Sequence, residues 1–328
     1  MRSGCYISRN RKAFITTLVF AVASVLSQTA SALSLTYAST DTPSLTVFNG
    51  RLFMAYTGTD SNHRLNYAVS SDGTTFTQVS DGANRAASGP AIAAFGTKTY
   101  VAFTGINDHR INIYSSTDGQ HYSGQYVPNA NWNSPWRVAL ASGGGYLYLS
   151  WLGYDNAIYN VRSSDGVNWA SLPTIIPFPT PNGTASPVYP PTLATDSNGV
   201  VQGVFTQRFY YSFNVPTYQI NIFTPGGVGG GTTCRTYVNG SGTQAGLGFL
   251  PGERLMPFKP ASASVIGLDL NGGSCQGGTT YPTSAFPTDG SSYGTTGVAP
   301  AAVGFNGHAY LFWTGTDSAQ HINVVQVF

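Results

Sequence analysis

From Leu33 onward, short runs of apolar, aromatic and β-branched residues alternate with clusters of Gly, Pro, Asn, Asp and Ser. That punctuation predicts short β-strands joined by tight turns. One unit recurs. A Pro-containing turn leads into a short apolar strand and a Gly turn, then a strand ending in aromatic-x-Gly. A polar loop and a third strand follow, and the unit closes on Ser-x-Asp-Gly-x-x-aromatic. The clearest copy starts at Pro43, turns at Asn49-Gly50, runs Arg51-Leu52-Phe53-Met54-Ala55-Tyr56-Thr57-Gly58, continues through Arg64 to Val69 and closes at Ser70 to Phe76. The second runs from Pro90 through Phe103-Thr104-Gly105 to Ser116–Tyr122, and the third from Pro135 through Trp151-Leu152-Gly153 to Ser163–Trp169. The last begins at Pro300 and carries Trp313-Thr314-Gly315.

Spacing sets the number of units. Tyr56, Phe103 and Trp151 lie 47 and 48 residues apart, and the 162 residues from Trp151 to Trp313 divide into three units of about 54. Two degenerate units are therefore expected in between. One covers Pro191 to Phe223, with a turn at Asp196–Gly199 and a second strand at Gln202–Phe205, leaving Gln207 to Tyr211 as its polar loop. The other lies around Leu247 to Leu270, with Pro251-Gly252 turning into Arg254-Leu255-Met256. Six units of this length, each of about four strands, predict an all-β, six-bladed β-propeller over residues 33–328. If one of the divergent pair is a decorated loop, the ring has five blades. The last unit ends after three strands, and Leu33–Ala38 is a spare strand that closes the last blade and removes its open edge.

Composition agrees with this fold: only 9% of residues are charged, 13% are aromatic, and there are 39 Gly and 19 Pro. Glu253 is the sole glutamate and Lys12, Lys98 and Lys259 the only lysines, which excludes exposed Glu/Lys helices. The first 32 residues read as a secretory signal, with a basic start at Arg2, Arg9, Arg11 and Lys12, an apolar run from Ala13 to Leu26, and Ala30-Ser31-Ala32 as cleavage site. Secretion, or export to a periplasm, is the expectation, and no other segment is apolar enough to span a membrane. Cleavage leaves eleven basic against thirteen acidic residues, a net charge near −2, and no basic stripe for nucleic acid. Cys5 leaves with the signal, so Cys234 and Cys275 are expected to form a disulfide in an oxidising compartment.

The turns at Ser70, Ser116 and Ser163 resemble a one-residue-shorter form of the Asp-box of sialidase-type propellers, and the whole repeat resembles that of bacterial propeller lectins. The resemblance runs through nearly all of the mature chain and is clearest in four units. It implies that the Asp-box is a structural turn, so Asp72, Asp118 and Asp165 are read as structural. The residues support this independently: Ser and Asp oxygens accept N–H groups within the turn, Gly supplies positive φ, and the aromatic pins the turn to the blade.

If the first strand of each blade runs downward, the loops after aromatic-x-Gly share the upper face with the connections between blades. These loops carry Asp60, His63 and Arg64; Asp108, His109 and Arg110; Tyr154 and Asp155; Arg208; and Asp317 and His321. The connection Asn131–Arg137 adds Trp132 and Trp136. Carboxylates and guanidinium groups bond sugar hydroxyls while rings stack on the apolar sugar face, so these residues are the candidate ligand site, with glycans or glycoconjugates as partners. Repetition of weak sites would raise avidity on a multivalent surface. A glycan-active enzyme is the second class. A sialidase would need an arginine cluster, for which Arg64, Arg110 and Arg208 stand available, with Tyr210 or Tyr211 and Glu253, yet the Arg-Ile-Pro-type motif is absent, since Arg51 precedes Leu52-Phe53. A lyase using His109, Arg110 and a Tyr has no further support. A non-catalytic adhesion scaffold is the third class.

No cofactor is expected. The Asp-rich turns do not match an EF-hand, which leaves calcium without support, and the dispersed His residues do not make a zinc site. Gly226–Gly231 lacks the Gly-Lys-Ser/Thr ending of a phosphate loop. Asn182-Gly183-Thr184 and Asn239-Gly240-Ser241 are glycosylation sequons only in a eukaryotic source.

Overall fold

The computed structural model describes residues 32–126, 129–175, 188–211, 215–226, 232–236, 244–251, 253–259, 266–271, 284–286 and 298–327. For 80–83, 125–126, 208–211, 215–219, 232–236, 253, 267–271 and 284–286 it describes the backbone alone. Residues 1–31 of the signal segment, the sequons and Cys275 lie outside the described residues, as does the side chain of Cys234. Among the described residues, 24 strands form six antiparallel four-stranded sheets.

A first strand, β1 (Leu33–Ala38), precedes blade I, which contains β2 (Ser44–Phe48), β3 (Arg51–Thr57), β4 (Arg64–Ser70) and β5 (Phe76–Arg85). Blade II holds β6 (Ala91–Phe95), β7 (Lys98–Thr104), β8 (Ile111–Ser116) and β9 (Ser123–Tyr126). Blade III holds β10 (Ala139–Gly143), β11 (Tyr146–Leu152), β12 (Ile158–Ser163) and β13 (Ala170–Ser171). Blade IV holds β14 (Thr192–Thr195), β15 (Val201–Tyr211), β16 (Val215–Phe223) and β17 (Thr232–Thr236). Blade V holds β18 (Gly248–Leu250), β19 (Glu253–Phe258), β20 (Ile266–Asn271) and β21 (Ser284–Phe286). Blade VI holds β22 (Ala301–Phe305), β23 (His308–Thr314) and β24 (His321–Gln326), and its outer strand is β1.

The inner strands β2, β6, β10, β14, β18 and β22 neighbour one another in that order, and β22 returns to β2, so the sheets close a ring. Both divergent units therefore count as blades. Second strands are sandwiched between neighbouring blades, which explains why β3, β7 and β23 are buried at every position after the first and read as continuous apolar runs. The turns feeding them use residues suited to positive φ at both central positions, Asn49-Gly50, Gly144-Gly145 and Asn306-Gly307.

Polar side chains tie the inner strands together. Ser44 Oγ accepts the Ile92 N–H at 3.0 Å and Thr46 Oγ1 the Ala94 N–H at 3.0 Å. Ser142 Oγ donates to Ala94 O at 2.5 Å, and Thr195 Oγ1 to Ser142 O at 2.6 Å. Each such bond satisfies a backbone group that the ring would otherwise bury alone.

The Ser-x-Asp-Gly turns do the same work lower on blades I, II and III. In blade I, Ser70 Oγ accepts the Gly73 N–H at 2.8 Å, while Asp72 Oδ1 accepts those of Thr74 and Thr75 at 2.7 and 2.6 Å. Asp118 and Asp165 repeat the pattern. The turn glycines then press on the preceding blade, Gly73 on Tyr310, Gly119 on Phe53 and Gly166 on Tyr100. The turn is thus a clamp between blades.

Closure comes from β1, which pairs antiparallel with β24 through Leu33–Val324 and Ser34–Asn323. Leu35 is buried with Phe312, Ile322 and Val324. One expectation needs correction: Gln207 to Tyr211 is not a loop but the end of β15, paired with β16 as far as Tyr211–Val215. Aromatic and β-branched residues on both strands favour a longer ladder over an early turn.

Candidate functional site

On the upper face, the loop after the second strand is pinned at its ends in blades I, II, III and VI. Gly58 N–H donates to Arg64 O at 2.8 Å, Gly105 N–H to Arg110 O at 2.9 Å, Gly153 N–H to Ala157 O at 2.8 Å and Gly315 N–H to His321 O at 2.7 Å. The loop acid organises the interior of the loop. Asp60 accepts the Asn62 and Arg64 N–H groups, Asp108 that of Arg110, Asp155 that of Ala157, and Asp317 those of Ala319 and His321. His63 and His109 occupy left-handed backbone positions, with φ of 50° and 54°. Arg110 Nε lies 3.7 Å from Asp108 Oδ2, and His321 Nδ1 lies 2.9 Å from Asp317 Oδ1. These bonds hold Asp317 below the usual carboxylate range against the opposing effect of desolvation.

A cross-strand pair supports each loop from beneath. Tyr56 faces Asn66, Phe103 faces Asn112, and Trp313 faces Asn323. In all three, the Asn Nδ2 donates back to the loop, to Arg64 O, Arg110 O and His321 O. Blade III departs from the pattern: Trp151 faces Tyr159. The Tyr159 hydroxyl donates to Asp155 Oδ2 at 2.7 Å, and its ring stacks on Trp151 with centroids 5.4 Å apart and planes 16° apart. That bond lowers the pKa of Asp155 and raises that of Tyr159.

The connection from blade II supplies the opposite wall. Asn129 Oδ1 accepts the Asn131 N–H at 2.9 Å and Asn129 O accepts that of Trp132 at 3.0 Å, forming a tight turn. The turn is fastened to blade II where Trp132 O accepts the Ile111 N–H and His109 O that of Ser134, both at 3.0 Å. Trp132 then lies 5.1 Å from Trp151 and edge-on to Trp169 at 6.4 Å. Where Arg64 pairs with Arg85 in blade I, Arg110 pairs with Asn133 in blade II, so the counterpart of Trp132 is Asn84.

Between these walls is a cavity of about 520 Å³. Its lining includes Trp132, Trp151 and Tyr159 as aromatic surface, with Tyr154 and Asp155 from the loop and Asn129, Asn131 and Asn133 from the connection. Trp151 is 4% exposed and forms the buried part, while Tyr154 at 63% stands at the rim. No hydrogen bond among the described residues engages the side-chain amides of Asn131 and Asn133.

Of the expected ligand residues, Trp132, Tyr154 and Asp155 are thus brought together. Asp60, His63, Arg64, Asp108, His109, Arg110, Asp317 and His321 do not line this cavity. Trp136 is 49% exposed outside it, and the side chain of Arg208 lies outside the described residues. Sequence reasoning missed Tyr159; the signal available was the break in the recurring Asn at positions 66, 112 and 323.

Near the starts of the inner strands, Asp41 and Arg137 join three blades. Asp41 Oδ1 accepts the Thr42 N–H at 2.7 Å, its Oδ2 the Gly89 N–H at 2.6 Å, and Arg137 Nη1 lies 3.9 Å from Oδ1. Arg137 Nη2 also donates to Pro90 O at 3.4 Å. Burial lowers the Arg137 pKa and Asp41 opposes it. Among the described residues no group of three or more His, Cys, Asp or Glu could hold a metal, and no helix is long and apolar enough to cross a membrane.

No family model and no curated protein matches the chain. Its fold resembles solved propellers. An α-L-arabinanase of Penicillium chrysogenum, determined with arabinobiose, superposes with a TM-score of 0.64 at 14% identity, over 90% of this chain and 98% of that one. The SapL1 lectin, determined with α-methyl fucoside, gives 0.53 at 13% identity over 89% and 94%. AofleA from Arthrobotrys oligospora gives 0.55 at 10% identity over 88% and 84%. At these identities the likeness establishes the β-propeller fold alone.

Proposed function

We propose that the protein is an exported glycan-binding propeller whose site is the cavity beside blade III. The observation that carries this reading is the Trp132–Trp151–Tyr159 surface edged by the side-chain amides of Asn131 and Asn133, which no hydrogen bond among the described residues engages. Flat rings offer stacking to the C–H face of a sugar, and amides offer both donors and acceptors to its hydroxyls. The fastened turn at 129–132 holds these groups in place before a ligand arrives, which lowers the ordering cost of binding. Residues 1–32 act as the export signal. The Asp-box-like turns favour kinship with sialidase-type propellers.

The likeness to an arabinanase gives hydrolysis a claim to be tested. Glycoside hydrolases ordinarily need two carboxyls, one with a raised pKa. The described carboxyls that shift, Asp72, Asp118, Asp155, Asp165 and Asp317, all move down. Among the described residues, Asp155 is the one carboxyl lining the cavity. Binding therefore stands ahead of turnover.

A glycan-array screen of residues 33–328, run beside Asn131→Ala and Tyr154→Ala, tests the reading. Both positions are exposed, so folding should survive substitution. Selective binding that weakens in both variants is expected. Absence of binding, or hydrolysis of the captured glycans, would overturn it.

A further inference from the structure

We propose that the blade III cavity is built for an uncharged sugar ring and that Asp155 is the residue that turns anionic sugars away. The inference rests on the glycan-binding reading above and adds the chemical class of ligand.

Among the described residues, the lining carries hydroxyl-matching groups but no cation. Asn129, Asn131 and Asn133 are neutral, the aromatic surface is apolar, and no Arg, Lys or His is among the lining residues. The cations nearest in the chain are engaged elsewhere: Arg162, which follows Val161, lies over the Tyr146 ring at 4.3 Å, Arg137 faces Asp41 at 3.9 Å, and Arg110, whose backbone is bridged to Asn133, has its guanidinium directed to Asp108. His109, whose carbonyl accepts the Ser134 N–H, does not line the cavity either. Recognition of a sugar carboxylate uses a bidentate arginine or a comparable donor cluster. Here the formal charge facing the ligand is that of Asp155, fixed in place by the Tyr159 hydroxyl and the Ala157 N–H.

Asp155 therefore meets a ligand in two ways. Its carboxylate accepts hydrogen bonds from the hydroxyls of a neutral sugar and repels a ligand carboxylate. Two like charges some 6 Å apart in a largely solvated site change affinity by roughly five-fold at low salt, and the effect fades at 1 M ionic strength. Asp155→Asn keeps an acceptor for Tyr159 and removes the charge. The replacement of the loop-locking Asn by Tyr159 thus creates the aromatic surface and positions the charge that guards it.

The test is calorimetric titration of residues 33–328 with matched pairs of methyl glycosides, glucose against glucuronate and galactose against galacturonate, at 20 mM and 1 M salt. The neutral member should bind more tightly by about five-fold at low salt, with the gap shrinking at high salt and in Asp155→Asn. Asn131→Ala should weaken both members and leave their ratio as it was. Equal or tighter binding of the uronate at low salt, or a ratio indifferent to Asp155→Asn, would overturn the proposal while leaving glycan binding standing. Binding of neither member of these pairs, together with a blank array, would instead remove the underlying reading.

Discussion

Gly166→Ala should separate the two physical demands that the inter-blade clamp makes on its glycine. At φ +77° an added Cβ would lie 2.4 Å from the Cε1, Cζ and hydroxyl of Tyr100. The left-handed backbone alone costs an L-residue about 1–2 kcal/mol, less some 0.4–1 kcal/mol returned by a stiffer unfolded chain. Forcing a methyl into a packed ring adds about 1–3 kcal/mol. The expected loss is therefore about 2–4 kcal/mol. Gly50→Ala is the matched control, because its φ is +70° and no atom lies within 4 Å of an added Cβ. It should cost about 1 kcal/mol, the backbone contribution only. Urea unfolding followed by circular dichroism reads both as shifts in midpoint at unchanged slope. In a Tyr100→Leu background the excess of Gly166→Ala over Gly50→Ala should largely vanish. If Gly166→Ala costs no more than Gly50→Ala in the wild-type background, the turn is not clamped against blade II as described.

Acid stability follows from the same turns. Backbone N–H groups of Thr75 and Asn168 are the leading cause for Asp72 and Asp165, and the His121 side chain leads for Asp118; all three carboxyls lie well below the usual range. A depressed folded-state pKa means the stabilisation is complete above the unfolded value of about 4 and drains away as pH falls below it. The triple Asp→Asn variant at 72, 118 and 165 should be less stable at pH 7 and show a flatter stability profile from pH 4 to 2. Equal slopes in thermal melts would contradict this. Leu35→Ala should cost about 2–4 kcal/mol, because the side chain is 7% exposed and packs with Phe312 and Val324 across the closure. It should also speed proteolysis at the freed β24 edge, and an unchanged proteolytic rate would place the weak point elsewhere.

The repeat was legible because its marks are local and chemically obligatory. Asn-Gly and Gly-Gly pairs set the hairpins, and Ser-x-Asp-Gly sets the clamp. Counting the spacing of Tyr56, Phe103, Trp151 and Trp313 then sufficed for the ring, and Leu33–Ala38 for its closure. Blade IV was harder, since how far β15 continues its pairing with β16 depends on the partner strand and not on the local sequence alone. The upper-loop acids were visible, but composition alone does not distinguish a carboxylate facing a ligand from one accepting its own loop's N–H groups. Trp132, Tyr154 and Asp155 were within reach for the chemistry of their side chains. Tyr159 was not, because its meaning lies in what it replaces and in its facing Trp151 across the sheet.

The most direct test is a crystal structure of residues 33–328 with the tightest-binding glycan from the array. Density for a sugar ring stacked on Trp132 or Tyr159, with hydroxyls at Asn131, Asn133 or Asp155, is the predicted result. A glycan seated over the loops of Asp60, Asp108 or Asp317, or beside the Asp41–Arg137 pair with the blade III cavity empty, would contradict it.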